Sequence, residues 1–200
     1  MRTANGRAAL CPTLKPIVCF LLAFFPIPPI KTFGIQASIA PTVNINRHNF
    51  KYPNLSTYPQ KVQIFFKEHY PTVMELYDRH GILPSIKMAQ AMLESGYGSS
   101  ELSRIGNNYF GVKRKSNSEP GYFYKGDWYR RYDTPYQSFE HHSLFLLKKV
   151  SIRDLVTNRN TCYQSWVETL VEIRYAEDPV YGAKLTDIIE RYHLYELDYE

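Results

Sequence analysis

The stretch Leu83–Gly98, reading LPSIKMAQAMLESGYG, constrains the chain more than any other. Proline suits the first turn of a helix, where its missing N–H loses no partner, and glycine takes the left-handed conformation that closes one. Pro84 and the glycines Gly96 and Gly98 therefore bracket a short helix with Ile86, Ala89, Gln90 and Leu93 on one face. Similar punctuation recurs after Tyr58. Val62, Phe65, Phe66 and His69 follow helical spacing, Pro71 is expected to open a second segment, and Gly81 closes it after His80. Residues 106–137 change character. Asn, Gly, Ser and Lys clusters separate short aromatic runs, which predicts a loop and a small hairpin. Helices are expected again over about 138–150, 163–173 and 179–192. In the last, Asp178 is expected as N-cap before Pro179, with Tyr181, Leu185, Ile188 and Ile189 as the buried face. The predicted architecture is one mainly helical domain over residues 58–200, with a small β excursion in the middle.

Charge and cysteine usage place the rest of the chain. The formal net charge is +5, but Arg2, Arg7, Lys15 and Lys31 stand in residues 1–40 without any acid. Beyond residue 40 there remain 20 bases against 19 acids. A nucleic-acid partner is therefore not expected. The basic start precedes an apolar run, Ile17–Ile27, and small residues at Ser38 and Ala40, the pattern of a secretory signal cleaved after Ala40. Pro26, Pro28 and Pro29 interrupt the run, which argues against a spanning helix. Residues 41–57, polar and Asn-rich, read as a linker or N-terminal arm. Cys11 and Cys19 fall in the signal, leaving Cys162 alone, so the mature protein is expected to be exported, soluble, monomeric and free of disulfides.

Glu94 is the candidate for chemistry. It follows Leu93 on the apolar face and precedes two glycines, so it sits in the last helical turn among unpaired carbonyls. Burial and the negative helix end both disfavour the carboxylate and raise its pKa. A carboxylic acid kept protonated near neutral pH can protonate a leaving-group oxygen. An ordinary exposed glutamate at a helix end is the competing reading. The surroundings favour chemistry, because Tyr97, Tyr109, Tyr122, Tyr124, Tyr129, Tyr132 and Tyr136 fall within one stretch beside Asn107, Asn108 and Phe110. Flat rings with polar tips, mixed with amides, suit the faces and hydroxyls of sugars.

The segments AQAMLESGYGSS and NNYFGVK, followed by WYRRY, QSFEHHSLFL, YAEDPVY and KLTDIIERYHLY, resemble the bacterial glucosaminidase domain of autolysins and flagellar peptidoglycan hydrolases. The resemblance covers roughly residues 58–198. It implies a lysozyme-like α+β fold, mainly helical, with a β-hairpin lobe beside the cleft. It also implies hydrolysis of the β-1,4 bond after N-acetylglucosamine in peptidoglycan strands, with Glu94 as the acid and no metal or organic cofactor. Tyr97, Asn107, Phe110, Tyr132 and Tyr175 are the expected glycan-contacting or supporting positions. The second carboxylate is open among Glu119, Asp127 and Asp133. Glu119 ranks first because it precedes Pro120–Gly121 on a turn, and without any partner the substrate's own N-acetyl group would act as nucleophile.

Other signals are weaker. Ser95 lacks the G-x-S-x-G elbow, and Cys162 has no local thiol-hydrolase signature, so core packing is expected for it. His141 and His142 lack zinc spacing and read as a helix-surface pair. Lys113, Arg114 and Lys115 form a small basic patch suited to anionic wall polymer or to solvation. Two other functions stay open: a non-catalytic glycan-binding module, and a different wall cut by a lytic transglycosylase or an amidase.

Overall fold

The computed structural model describes residues 55–158 and 161–199. The expected signal lies outside them, as does the expected linker apart from Leu55–Thr57, a single 3-10 turn. The elements are α1 (Gln60–His80), α2 (Pro84–Ser95), α3 (Glu101–Gly106), β1 (Gly121–Tyr124), β2 (Asp127–Arg130), α4 (Pro135–Leu146), α5 (Val150–Thr157), α6 (Tyr163–Glu172), α7 (Tyr181–Arg191) and a final 3-10 segment (Leu194–Tyr199).

The core is organised around α2. Ile86, Met88, Ala89, Gln90, Ala91 and Met92 are fully buried, because α1, α6, α7 and the final 3-10 segment all pack against this helix. The expected single face is therefore corrected: the helix is covered almost all round, and Leu93 is only half-buried. Pro84 opens it as expected, and Gly96 closes it in the left-handed conformation at φ 58°. Its entrance is capped from far along the chain. The Asp198 carboxylate accepts from Ser85 N at 2.9 Å and from Ser85 Oγ at 2.6 Å.

The α1 helix corrects a second expectation. Pro71 does not start a new helix but lies within one continuous element. An interior proline costs about 3 kcal/mol. Against it stand Phe65, Phe66, Val73, Met74 and Leu76, buried on both sides of the proline, each contributing roughly 1.5–3 kcal/mol. Gly81 ends the helix at φ 69°, and a Cβ there would meet Val156 Cγ1 of α5 at 2.7 Å. Glycine is thus required for both the turn and the close approach.

The hairpin appears where it was expected. Gly121 pairs with Arg130 and Phe123 with Trp128, antiparallel, and Lys125–Gly126 form the tight turn with φ 49° and 87°. Positive φ at both turn positions matches the twist of the strands. The Tyr122 hydroxyl bonds the Glu101 carboxylate and so attaches the hairpin to α3. Helices α3 and α5 were not expected. The α4 helix starts at Pro135, three residues before the expected position, with the Thr134 hydroxyl accepting from Gln137 N. Asp178 is not the N-cap of α7, a place taken by Val180. Its carboxylate instead accepts from Val180 N at 3.0 Å and pairs with Lys184 at 2.6 Å. Cys162 is half-buried as the N-cap of α6, with its sulfur 3.7 Å from Ser165 Oγ. The expected core packing is corrected to this half-buried place at a helix start.

Candidate active site

Glu94 sits in the last turn of α2, just before Gly96, as the sequence predicts. Solvent reaches its side chain, yet protein crowds the carboxyl. Burial raises its pKa above the usual carboxylate value, and a hydrogen bond from the Tyr181 hydroxyl opposes part of that rise. The helix-end carbonyls add to the upward push. Among the described residues no cation pairs with Glu94. Gln90, one turn earlier on α2, donates through Nε2 to the Tyr181 hydroxyl oxygen at 3.1 Å. That bond occupies the oxygen as acceptor, so the Tyr181 hydrogen is directed to Glu94.

Tyr175 stands beside this pair. Its ring centroid is 5.3 Å from that of Tyr181, and its hydroxyl lies 2.8 Å from His142 Nε2. Burial first, then Tyr181 and the charge of Glu94, hold its phenol protonated well above the usual range. His142 in turn reaches Lys87 Nζ through Nδ1, also at 2.8 Å. The side chains Gln90, Glu94, Tyr175 and Tyr181 therefore converge at the end of α2, with Lys87 and His142 behind them.

The remaining expected glycan positions are held by partners within the fold. Asn107 caps α3 at φ 48° and donates to the carbonyls of Tyr132 and Asp133 at 3.0 and 3.1 Å, which holds the chain leaving the hairpin. Phe110 is 7% exposed and lies flat on the His142 imidazole. Tyr132 is also buried, with its hydroxyl 2.6 Å from His141 Nδ1 and its pKa pushed by burial to about 12. Tyr97, at φ 59° just after Gly96, keeps a half-buried ring below the Lys61 ammonium at 4.5 Å, and its hydroxyl is 3.4 Å from that of Tyr192. Of the five expected positions, Tyr175 alone is joined to Glu94 by an electrostatic interaction.

The hairpin acids have other partners. Glu119 accepts from Lys115 N at 3.1 Å and pairs with Arg130 at 3.3 Å. Asp127 pairs with Lys113 at 2.5 Å, which lowers its pKa, and Asp133 is exposed. No hydrogen bond among the described residues links any of them to Glu94. Four residues of the cluster were not singled out as site residues. His142 was expected on a helix surface with His141, but it is 2% exposed while His141 is half-buried. Tyr181 was expected as core, and Gln90 only as part of the α2 face. Lys87 carried a usable signal, since a lysine inside so apolar a helix has nowhere solvated to go. No group of three or more His, Cys, Asp or Glu side chains among the described residues is arranged to hold a metal. No described helix is long and apolar enough to cross a membrane.

The family described as mannosyl-glycoprotein endo-beta-N-acetylglucosaminidase matches residues 70–194. The chain is 28% identical over 186 residues to an exo-glucosaminidase of Bacillus subtilis, across 85% of this chain and 63% of that protein. It is 32% identical over 155 residues to a Lactococcus lactis protein named "Probable N-acetylmuramidase", across 68% of this chain and 35% of that one. The chain thus spans less than two thirds of each of these relatives. The solved catalytic domain of the autolysin Auto from Listeria monocytogenes is similar in structure, with TM-score 0.56 and 27% identity, over 70% of this chain and 89% of that one.

Proposed function

The chain belongs to the glucosaminidase family, and we propose that it is a peptidoglycan hydrolase that cuts the β-1,4 bond after N-acetylglucosamine with Glu94 as general acid. The observation that carries this reading is the environment of Glu94: burial raises its pKa, no cation among the described residues neutralises it, and the Tyr181 hydroxyl is aimed at it. Burial favours the protonated form of the acid. After that proton passes to the glycosidic oxygen, the Tyr181 hydrogen bond stabilises the carboxylate left behind. Tyr175 presents a second phenol to the same space.

The oxocarbenium-like centre must be captured from the other side. Glu119 is the hairpin acid proposed for this task, but it would first have to leave Arg130 and Lys115 N. That engagement supports the second route, in which the N-acetyl group of the sugar is the nucleophile and water opens the intermediate. The protein is read as an exported monomer acting on glycan strands in the cell envelope, without nucleic acid, stable membrane insertion or cofactor.

A second cut deserves a direct comparison because one relative carries a muramidase name. Purified sacculi treated with the protein should lose turbidity and gain reducing ends, and mass spectrometry of the products should find N-acetylglucosamine at those ends. Reducing N-acetylmuramic acid would reassign the cut, and an anhydro end would indicate a transglycosylase. A free stem peptide would indicate an amidase. Binding to sacculi with no release would leave a glycan-binding module. Undiminished release by Glu94→Gln would remove Glu94 from the mechanism.

A further inference from the structure

Lys87 and His142 lie behind the cleft and take no part in the scheme above. Lys87 is 1% exposed, and no carboxylate pairs with it or with His142 among the described residues. The imidazole is fixed on three sides. Its Nδ1 is 2.8 Å from Lys87 Nζ, its Nε2 is 2.8 Å from the Tyr175 hydroxyl, and Phe110 lies flat on it at 3.8 Å between centroids with planes 4° apart. Lys87 Nζ is 5.4 Å from the same Phe110 ring. A buried amine without a counter-ion is costly, and methionine would fill the same space without that cost.

One direction of the two hydrogen bonds is open whatever the charge of Lys87. An amine has N–H bonds to donate whether neutral or charged, but it can accept only when neutral. Donation to Nδ1 is therefore open to Lys87 in both states, and a neutral imidazole that accepts at Nδ1 carries its hydrogen on Nε2. The Nε2–H then donates to the Tyr175 oxygen. With that oxygen occupied from behind, the hydroxyl hydrogen turns forward, toward the charge of Glu94, with which Tyr175 interacts. Gln90 does the same for Tyr181.

We propose that Lys87 is a positioning residue: by donating to Nδ1 it holds His142 as the Nε2–H tautomer, which aims the Tyr175 hydroxyl at the sugar in front of Glu94. The aim at a sugar rests on the glycosidase reading; the tautomer does not. The first experiment therefore needs no substrate. Two-bond proton–nitrogen correlation on the full chain with ¹⁵N-labelled histidine, assigned through a His142→Asn variant, should show His142 at pH 7 protonated at Nε2 and bare at Nδ1. A ring protonated at Nδ1, or at both nitrogens, overturns the proposal whatever the enzyme does to sacculi.

The second experiment separates positioning from packing. Lys87→Met keeps length and apolar volume, and should lower kcat about tenfold, the scale of one misdirected hydrogen bond, with KM within about twofold. Tyr175→Phe should lower kcat at least as much, and the double variant should be no worse than Tyr175→Phe alone. Losses that multiply would overturn the proposal, as would wild-type kcat in Lys87→Met. Should Lys87→Met fail to fold, the wild-type tautomer decides. Absence of any release by the wild type would sink the glycosidase reading and leave the tautomer result standing.

Discussion

The carboxylates at the two ends of α2 and those of the β1–β2 hairpin are treated in opposite ways. Glu94, in the last turn of α2, and Asp198, against its first, have no cation partner among the described residues, and burial raises both pKa values. Asp127 and Glu119 are held by Lys113 and Arg130 in the more open hairpin. The first arrangement favours the protonated acid, and the Lys113 pair favours the ionised form of Asp127. One small domain thus separates acids that can give up a proton from acids that serve as counter-ions, and it does so by burial and by where it puts its cations.

The largest test of this contrast is Glu94→Gln, which keeps size and polarity but has no proton to give. Reducing-end release should fall by roughly 10²–10⁴ in kcat, the usual scale for one general acid. Loss by less than tenfold would place Glu94 with the counter-ion acids.

Asp198 tests the other end of α2 through stability. Burial, the larger effect, lifts its pKa to about 7, while the two bonds from Ser85 pull it down. A folded-state pKa above the unfolded value means that folding favours the protonated form. That contribution is complete below the unfolded carboxylate range, near pH 4, and is lost as pH rises through about 7. The slope in that window is at most about 1.4 kcal/mol per pH unit. The histidines lowered by burial act in the opposite direction, so the readout is a difference: as pH rises from 5 to 8, Tm measured by calorimetry should fall in the wild type relative to Asp198→Asn. The same pH dependence in both would show that Asp198 does not belong with Glu94.

A smaller effect is expected at Tyr181. Its hydrogen bond lowers the Glu94 pKa, so Tyr181→Phe should raise that pKa further. Since the protonated acid is the active form, the alkaline limb of the pH–kcat profile should move to higher pH, and kcat at the optimum should fall because the carboxylate loses its stabilising donor. A shift to lower pH would mean that Tyr181 acts on some other group.

The same contrast explains what could be read in advance. Signals between near neighbours were legible: Pro84 and Gly96 bracket α2, Glu94 follows from its place before the glycines, and the aromatic runs mark the hairpin. Pro71 was misread because tertiary burial on both sides outweighs the local rule. Helices α3 and α5 have six and eight residues, too short for their periodicity to stand out. The polar chain behind the cleft was invisible for another reason. Lys87 and His142 are 55 residues apart and His142 and Tyr175 are 33 apart, so only the packing of α2 against α4 and the segment after α6 brings them together. Asn107, Phe110 and Tyr132 were singled out without their partners, since nothing local in the sequence pairs them with the Tyr132 carbonyl, His142 and His141.

Glu119→Gln should have the smallest effect, and it can break the contrast most cleanly. The Glu119–Arg130 pair is partly exposed, with side chains 25% and 31% accessible, and such pairs contribute between 0 and about 1 kcal/mol. Stability should change by no more than that, and the change should shrink at 1 M salt as the pair is screened. Activity on sacculi should stay within about threefold if the N-acetyl group of the substrate is the nucleophile. A kcat loss comparable to that of Glu94→Gln would mean that substrate binding draws Glu119 away from Arg130 and into the reaction. The hairpin would then close on the glycan as a moving part, and its acid would change from counter-ion to catalyst when the sugar arrives.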